Sequence, residues 1–444
     1  MTTDSRGFST RQLHVASTTA GAEPRALPIY LTAGFRFSDL EESAEHFGTG
    51  AGFGYSRTGN PTVDAVERRL ASLEGGDQAV LVSSGQAAVV VALLAVAGAG
   101  DHIVVATQIY EGTRGLITHN LERMGITSTF VDATDLSAWR SAVRPNTRAF
   151  FAETLSNARN DVLDVAGVAD VGAAHGVPLI VDSTFTTPYL LRPLEHGAAI
   201  VVHSASKFLA GQGAVLGGVV VDDGRFDAAR DGHLFPHLTE PDRLGGASYA
   251  ERYGHRARGQ YIRESVAPRL GPTPSPLNAF FIGQGIETLS LRVERQSANA
   301  LTIARWLAAR PEVTRVDYAG LETHPHHDLA RRYLPRGSGS VFTFTLAGGR
   351  EAARHVVESL GVITHMTHLG DVRSLILHPE STSHAGRTEA ECAEAGVSPG
   401  TLRLSVGIED VDDLLADLAH AFDTVPVHVA TVPERPATAE SVIA

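Results

Sequence analysis

The pattern of hydrophobic positions is most regular in the middle of the chain, where it predicts a sheet. Seven short, almost continuous apolar runs are predicted to be strands: 79–83, 102–106, 127–132, 148–153, 178–183, 199–204 and 217–223. Helix-like stretches separate most of them, for example 86–97, 113–124 and 164–175. Apolar strands that alternate with helices are typical of a parallel sheet covered on both faces. We therefore predict an α/β fold with a seven-stranded, mostly parallel sheet between helices.

The regions on either side follow other patterns. Asn60 and Pro61 predict a helix start, because Asn is a good cap and Pro suits the first helical position. Residues 224–272 are polar and lack clear periodicity, so we expect a long excursion over the surface or at a subunit contact. A long helix is expected from 278 to about 309. A smaller α+β domain is then predicted from strands in 313–320, 340–348, 373–379 and 401–407 and helices in 350–360 and 409–422.

Composition excludes several classes of protein. With 43% hydrophobic and 20% charged residues the chain is an ordinary globular protein, and its net charge of -13 does not favour nucleic acid or an anionic membrane as a partner. Its one cysteine, Cys392, excludes an internal disulfide and a four-cysteine zinc site. No signal peptide or membrane-length apolar run is visible, so the expected location is cytoplasmic. The histidines in HPHHD, residues 324–328, are expected to be solvated, and no metal site is predicted.

Polar side chains gather where the predicted strands end. They are Ser84, Gly85, Gln86, Tyr110, Glu153, Asn157, Asp182, Ser204, Ser206 and Lys207. Ligands of open parallel sheets bind at the carboxyl ends of the strands, so this edge is the candidate site.

Three of these features favour one kind of cofactor. The segment 84–86 opens a helix, whose free N–H groups and positive dipole end can hold a phosphate. Asp182 ends an apolar strand, where a carboxylate is costly to bury without a cation such as a protonated pyridine nitrogen. Lys207 follows an apolar strand, where desolvation lowers the pKa of an amine and frees it to form an imine. Each feature alone has an ordinary explanation, as a turn, a helix cap or a surface lysine. Their occurrence at successive strand ends favours a site.

The motifs that carry these residues resemble a known family. SSGQAA, VDSTF and HSASKFLAG are similar to the signatures of the Cys/Met-metabolism class of fold-type-I pyridoxal-phosphate (PLP) enzymes, and GYSRTGNPT and TLRLSVGIED match the same class. The resemblance covers about residues 8–423. Within the class, segments such as LFPHLTEPD and GDVRSLILHPESTSH most resemble the O-acetylhomoserine sulfhydrylase branch.

The resemblance implies a role for each matching residue. Lys207 would hold PLP as a Schiff base and move protons, Asp182 would pair with the pyridine nitrogen, and Tyr110 would stack on the ring and assist proton transfer. Asn157 would bind the phenolic oxygen of PLP, and Arg403 would hold the substrate carboxylate. The phosphate would be bound by Ser84, Gly85, Gln86, Ser204 and Ser206, and by Tyr55 and Arg57 of a neighbouring subunit.

The resemblance also implies an organisation into domains and subunits. Residues 1–70 would form an arm that contributes to the neighbouring active site, 71–295 the PLP-binding domain, 296–430 the C-terminal α+β domain and 431–444 a loose tail. The active unit would be a homo-oligomer, at least a dimer and expected to be a homotetramer.

The implied reaction is γ-replacement, in which O-acetylhomoserine and sulfide give homocysteine and acetate. Methionine γ-lyases carry a cysteine where this chain has Gly112. Cystathionine-handling relatives carry a glutamate where it has Arg373, which favours a substrate without a second amino group. Arg373 and His368 are expected to face the substrate.

Five departures from the family pattern keep other functions open. They are Ser183, Ala158, Gln212, His368 and the Gly-Gly-Ala sequence around residues 245–247. The first alternative is another γ-substitution or γ-elimination enzyme of the same family: a cystathionine γ-synthase, a methionine γ-lyase or a specialised biosynthetic relative. The second is a non-catalytic protein that keeps the fold, against which the intact set of Lys207, Asp182, Tyr110 and Arg403 argues.

Overall fold

The computed structural model describes residues 5–14, 24–157, 159–241 and 246–425. A seven-stranded sheet forms its centre, with the strand order β1-β7-β6-β5-β4-β2-β3. The strands are β1 Gln78–Val82, β2 His102–Ala106, β3 Thr127–Val131, β4 Thr147–Glu153, β5 Leu179–Asp182, β6 Ile200–His203 and β7 Gly218–Asp222. Only β7 runs antiparallel to its neighbours in this sheet. The predicted α/β fold and its seven strands are confirmed.

Helices cover this sheet on both faces, since β1, β2, β6 and β7 are buried at every position although their side chains alternate in direction. The first eight are α1 Phe8–His14, α2 Leu40–Thr49, α3 Pro61–Glu74, α4 Gly85–Leu94, α5 Glu111–Gly115, α6 Leu136–Ser141, α7 Val165–Ala173 and α8 Thr187–Leu190. A π-helical turn, Leu116–Leu121, extends α5, and a 3₁₀ turn, Pro193–His196, follows α8. Asn60 caps α3 as expected: its side chain accepts the N–H of Thr62 at 3.0 Å.

The segment 224–272 differs from the expected irregular excursion. It contains five short helices, α9 Ala228–Asp231, α10 Pro236–Thr239, α11 Tyr249–Tyr253, α12 Ala257–Tyr261 and α13 Ala267–Leu270. Short 3₁₀ and π turns lie beside them at Gly232–Leu234, Gly254–Arg256 and Ile262–Val266. Phe235, Leu238 and Ile262 are buried in the main core, and Arg258 pairs with Asp222 at 2.5 Å. Helices of four or five residues are too short to show a period of 3.6, so the sequence pattern missed them.

A second sheet of five strands has the order β10-β11-β12-β9-β8, and only β10 and β11 pair in parallel. Its strands are β8 Val313–Asp317, β9 Val341–Leu346, β10 Thr364–His365, β11 Leu375–Leu377 and β12 Thr401–Ser405. The helices are α14 Pro276–Ile286, α15 Leu289–Ala308, α16 His327–Tyr333, α17 Gly349–Ser359, α18 Glu389–Glu394 and α19 Val411–Asp423.

The single helix expected over 278–309 is two helices. The break lies at Glu287 and Thr288, where the carbonyl of Gly285 accepts the N–H of Thr288 at 3.3 Å and the guanidinium of Arg292 at 2.7 Å. These bonds tighten the chain into a shorter turn and end the regular helical pattern.

Helix α15 belongs to two hydrophobic clusters. Leu289 and Val293 pack in the cluster around the large sheet, whereas Ala300 and Ile303 pack in the cluster around the small one. The domain boundary predicted between residues 295 and 296 lies inside this helix and stays a prediction. The predicted tail, 431–444, lies outside the described residues. Among the helices that the structure describes, none is both long and apolar enough to cross a membrane.

Candidate active site

The candidate site lies at the carboxyl ends of the central parallel strands. Glu153, the last residue of β4, pairs in register with Asp182, the last residue of β5, and Asp182 pairs with Val202 of β6. The turn after β6 carries Lys207, whose N–H donates to the carbonyl of Ser204 at 3.1 Å. Three strands thus bring Glu153, Asp182 and Lys207 to one edge of the sheet.

Lys207 is the candidate nucleophile, and its amine contacts a histidine. Burial and, second, the charge of Arg403 lower the pKa of Lys207 to about 8. Its Nζ lies 3.0 Å from Nδ1 of His368. Burial and the charge of Lys207 lower the pKa of His368 to about 4, so the imidazole is neutral at pH 7 and its Nδ1 accepts the hydrogen bond. At pH 7 about one amine in ten is then unprotonated, against about one in three thousand at the ordinary pKa.

A close backbone approach brings His368 to Lys207. Gly370 has φ 72°, and a Cβ on it would lie 2.8 Å from the backbone nitrogen of Phe208. Only glycine fits this conformation and spacing without strain. The N–H of Val372 donates to the carbonyl of Gly211 at 2.8 Å, which fixes the same two segments further along.

Arg403 on β12 is a buried cation beside this pair. Its Nη1 lies 3.5 Å from Oδ1 of Asn157, and its Nη2 lies 3.4 Å from the carbonyl oxygen of His368. Both contacts are long and therefore weak. Burial lowers the pKa of Arg403 to about 10, and no carboxylate pairs with it in the part of the chain that the structure describes. The guanidinium is therefore free to bind an anion.

Asp182 is held by the residues that follow it. Its Oδ1 accepts the N–H of Thr184 at 2.9 Å, and Oγ1 of Thr184 accepts the N–H of Ser204, also at 2.9 Å. Burial raises the pKa of Asp182, as expected for a buried carboxyl that has no cation bound to it. Sequence reasoning gave Thr184 no role, although its place in the motif VDSTF, directly after the acid, was a usable signal.

The start of α4 suits a phosphate. Oγ of Ser84 accepts the N–H of Ala87 at 3.1 Å, whereas the N–H groups of Gly85 and Gln86 have no partner among the described residues. A Cβ on Gly85 would lie 2.9 Å from Oγ of Ser204, so this hydroxyl lies beside the free N–H groups. The side chain of Gln86 instead donates to the carbonyl of Gly112 at 2.9 Å.

Three residues expected at the phosphate are engaged elsewhere in this chain. The hydroxyl of Ser206 is buried, donates to the carbonyl of Gly217 at 3.1 Å and accepts its N–H at 3.0 Å. Arg57 donates to the carbonyl of Pro268 at 2.7 Å, and the side chain of Tyr55 is half exposed. Their phosphate contacts stay predictions.

Arg373 is bound to an acid of its own turn. Its Nε lies 2.8 Å from Oδ1 of Asp371 and its Nη2 lies 3.0 Å from Oδ2, while Nη2 also donates to the carbonyl of Gln212 at 2.9 Å. Of the other departures, the hydroxyl of Ser183 is buried against Oγ1 of Thr186 at 2.6 Å. Ala158 lies outside the described residues.

Tyr110 begins α5 with its side chain half exposed. Its N–H donates to Oε1 of Glu153 at 2.5 Å. Its ring lies over Gly112, because a Cβ on that glycine would lie 2.4 Å from Cε1 of Tyr110. Glu153 was noted at the strand end, but sequence reasoning gave it no role.

Comparison with known proteins decides the family. The model of the family described as Cys/Met metabolism PLP-dependent enzyme matches residues 9–423. The chain belongs to this family. It is 44% identical over 429 residues to an O-acetyl-L-homoserine sulfhydrylase of Corynebacterium glutamicum, covering 95% of this chain and 98% of the relative. It is 40% identical over 432 residues to a homocysteine synthase of Schizosaccharomyces pombe, covering 95% and 100%.

Solved structures of similar proteins have the same fold. One from Campylobacter jejuni, described as a candidate O-acetylhomoserine (thiol)-lyase, contains N'-pyridoxyl-lysine-5'-monophosphate. It has a TM-score of 0.89 and 33% identity, and the match covers 94% of this chain and all of the other. A cystathionine gamma-lyase of Lactobacillus plantarum in complex with L-serine has a TM-score of 0.82 and 32% identity, covering 95% and 99%. The predicted class, a PLP-dependent enzyme of fold type I, is confirmed.

The residues of this Cys/Met-metabolism enzyme fit its cofactor. The free N–H groups at the start of α4 and the hydroxyl of Ser204 suit the phosphate of PLP. The buried carboxyl of Asp182 suits a protonated ring nitrogen, and the amine of Lys207 has a pKa close to neutrality.

Proposed function

We propose that this enzyme catalyses γ-replacement, in which O-acetylhomoserine and sulfide give homocysteine and acetate. The observation that carries the proposal is the free, buried guanidinium of Arg403 beside the amine of Lys207 and the imidazole of His368. An amino-acid substrate brings a carboxylate for the first group and an α-proton within reach of the second. The relatives from Corynebacterium glutamicum and Schizosaccharomyces pombe are named as an O-acetyl-L-homoserine sulfhydrylase and a homocysteine synthase, which supports the choice of substrate.

Each residue of the site has a proposed task. Lys207 binds PLP covalently and afterwards takes and returns protons at its Nζ, for which a pKa of about 8 is well suited. Arg403 orients the α-carboxylate through two parallel N–H···O bonds. When bound, PLP supplies an electron-accepting ring that stabilises negative charge at the substrate carbons. Asp182 holds its ring nitrogen, Asn157 its phenolic oxygen, and Ser84, Gly85, Gln86, Ser204 and Ser206 its phosphate.

Two features support a substrate without a distal ammonium group. Arg373 stands where cystathionine-handling relatives have an acid. The nearby acid Asp371 is buried, and both its oxygens are already bonded to Arg373. No free carboxylate is therefore offered by this turn. The acetyl ester of O-acetylhomoserine is uncharged and therefore needs no carboxylate at this position.

Gly112 supports a replacement enzyme over a methionine γ-lyase. Any side chain at this position would force the ring of Tyr110 to move, because the ring lies directly over the glycine. A cysteine at the corresponding place would therefore require another position of Tyr110 and another shape of the site.

We also propose that the enzyme is a homo-oligomer, at least a dimer and expected to be a homotetramer, in the cytoplasm. Residues 1–70 would be the arm in which Tyr55 and Arg57 reach the phosphate of the neighbouring subunit, and 71–295 and 296–430 the two domains. Three large apolar side chains of this arm, Leu31, Leu40 and Phe47, are 73%, 78% and 84% exposed in the single chain, which supports contact with a second copy.

The test is a substrate panel with identified products. The purified holoenzyme is incubated with O-acetyl-, O-succinyl- and O-phosphohomoserine, each with sulfide, methanethiol or cysteine. Homocysteine from O-acetylhomoserine and sulfide, at the highest kcat/KM of the panel, is the expected result. Mainly 2-oxobutyrate and ammonia would identify a γ-lyase, and cystathionine from cysteine would identify a γ-synthase. No turnover with any acyl donor would favour a specialised relative or a non-catalytic protein.

A further inference from the structure

Glu153 has contacts that the proposed mechanism leaves without a purpose. Glu153 is 9% exposed, and its Oε1 accepts the N–H of Tyr110 at 2.5 Å. The backbone N–H of Asn157 also faces its carboxyl and acts to lower its pKa. These two residues are the ones proposed to contact the ring and the phenolic oxygen of PLP. One carboxyl thus binds the backbone of Tyr110 and lies against that of Asn157, which belongs to a different segment.

A second acid lies directly beside it. Glu153 and Asp182 pair in register on neighbouring parallel strands, about 5 Å apart and with side chains on the same face of the sheet. Neither carboxyl forms an ion pair with a lysine or arginine in the described part of the chain. Two desolvated like charges at this distance repel strongly, so one of the pair keeps a proton.

The surroundings decide which acid keeps it. Asp182 is stabilised as an anion by the N–H and hydroxyl of Thr184 and by the charge of His203, which oppose the effect of burial. Glu153 has only the two backbone N–H groups, and burial followed by the charge of Asp182 raises its pKa well above the ordinary value. Apart from each other, the charged group that acts on the pair is His203 of β6, and Tyr110 contacts Glu153 through its backbone N–H. Arg403 of β12 lies on the far side of Asn157, 3.5 Å from its Oδ1.

We infer that Glu153 is a positioning residue that works as a neutral, protonated carboxyl: it holds the backbone of Tyr110 next to that of Asn157 and leaves Asp182 as the single anion for the ring nitrogen of PLP. A carboxylate at 153 would compete with Asp182 for that cation. The neutral acid keeps the hydrogen bonds without adding a second negative charge.

Glutamine reproduces a protonated glutamate, so Glu153→Gln is the central variant. Glu153→Ala removes the acceptors altogether. Glu67 offers a matched control: it is also buried, burial also raises its pKa, and it accepts the N–H of Leu81 at 2.7 Å. It differs in its ion pair with Arg263 at 2.8 Å, and Glu67→Gln would leave that guanidinium without this carboxylate. Glu67→Gln should damage the protein where Glu153→Gln does not.

Three measurements on the holoenzyme test the inference. The first is the infrared difference spectrum between the wild type and Glu153→Gln at neutral pH, which should show that the variant has lost the absorption of one protonated carboxyl. The second is the pH titration of the visible cofactor band. Its midpoint should change by less than about 0.3 pH units in Glu153→Gln and by about one unit or more in Glu153→Ala. The third is thermal unfolding between pH 6 and pH 9.

The unfolding experiment predicts the direction in which each variant changes the unfolding temperature. The pKa of Glu153 is higher in the folded than in the unfolded protein, so its contribution to stability is largest at low pH and falls as the pH rises towards the folded-state value. Glu153→Gln should remove this loss and unfold at the same or a higher temperature than the wild type at pH 8. Glu67→Gln should unfold at a lower temperature.

Because burial also raises the pKa of Glu67, Asp222 and Asp317, the deciding quantity is the difference between the two spectra. The inference fails if Glu153→Gln loses no protonated-carboxyl absorption relative to the wild type at neutral pH. It also fails if Glu153→Gln shifts the cofactor band as much as Glu153→Ala does, since the negative charge would then be needed. The infrared band does not depend on a folded Glu153→Ala variant. None of these measurements uses O-acetylhomoserine, so their outcome is separate from that of the proposed function.

Discussion

Replacing Arg403 by methionine should change stability and substrate binding in opposite directions. Arg403 is 6% exposed, and its guanidinium has no carboxylate partner among the described residues and makes only two long hydrogen bonds. In the substrate-free enzyme it is a buried charge without compensation. Methionine has a similar length and no charge, so Arg403→Met fills the space and removes the desolvation cost.

The magnitudes follow from the burial of the charge. Burial lowers the pKa of Arg403 from 12.5 to about 10, which corresponds to a cost on the order of 3 kcal/mol for the charged form. At neutral pH the group is charged in both states, so the full cost is present. We expect Arg403→Met to raise the free energy of unfolding by about 1–3 kcal/mol. Loss of a buried guanidinium–carboxylate pair costs about 3–5 kcal/mol, or about 150- to 5,000-fold in kcat/KM for O-acetylhomoserine.

The assay combines urea unfolding of the holoenzyme with steady-state kinetics. Arg295→Met is the matched control, because Arg295 is 48% exposed and pairs at 3.2 Å with Asp410, itself 85% exposed. Exposed pairs contribute about 0–1 kcal/mol, so this variant should stay within about fivefold of the wild type in kcat/KM. If Arg403→Met instead lowers the urea midpoint while kcat/KM falls, Arg403 supports the fold, and the assignment to substrate binding is wrong.

Three further predictions concern other parts of the molecule. The kcat of the wild type should rise about tenfold between pH 7 and pH 9, because the amine of Lys207 with a pKa of about 8 acts in its neutral form; a flat profile would contradict this. Arg258→Met should lower the free energy of unfolding in urea by about 3–5 kcal/mol, because it leaves the buried carboxylate of Asp222 without its partner. A decrease of less than about 1 kcal/mol would show that water compensates the charge of Asp222. Cys392 is 6% exposed and burial raises its pKa, so a thiol reagent should label it only under denaturing conditions, and rapid labelling of the native enzyme would refute its burial.

The local pattern of apolar and polar residues was sufficient to predict the strands of the large sheet. Most of its seven strands are runs of apolar residues between polar turns, and such a run has few alternatives to a buried strand. The exception is the edge strand β3, Thr127–Val131, which begins with three polar residues and is only partly buried. The cap at Asn60 could be predicted for the same reason, because its bond to the N–H of Thr62 joins neighbours in the chain. By contrast, the two-residue strand β10 and the helices of 224–272 depend on packing partners far away, and the sequence pattern missed them.

In the candidate site, too, some features could be predicted from the sequence and others could not. The residues that follow strands could be located because a parallel sheet brings all its carboxyl ends to one edge. The contact between Lys207 and His368 could not, since it joins residues 161 positions apart and depends on the conformation of Gly370. The family resemblance indicated that His368 faces the site but not what it contacts.

The amino-acid sequence by itself determined the alternation of strands and helices, the set of polar groups at the strand ends and the lysine that the family uses, because these depend on neighbours along the chain and on the regular geometry of a sheet. Only the tertiary structure decided that Arg403 has no carboxylate partner among the described residues, that Arg373 is bound by Asp371, and that Glu153 and Asp182 are direct neighbours in register. Charge and pKa depend on burial and on distances between remote segments, and those exist only after the chain has folded.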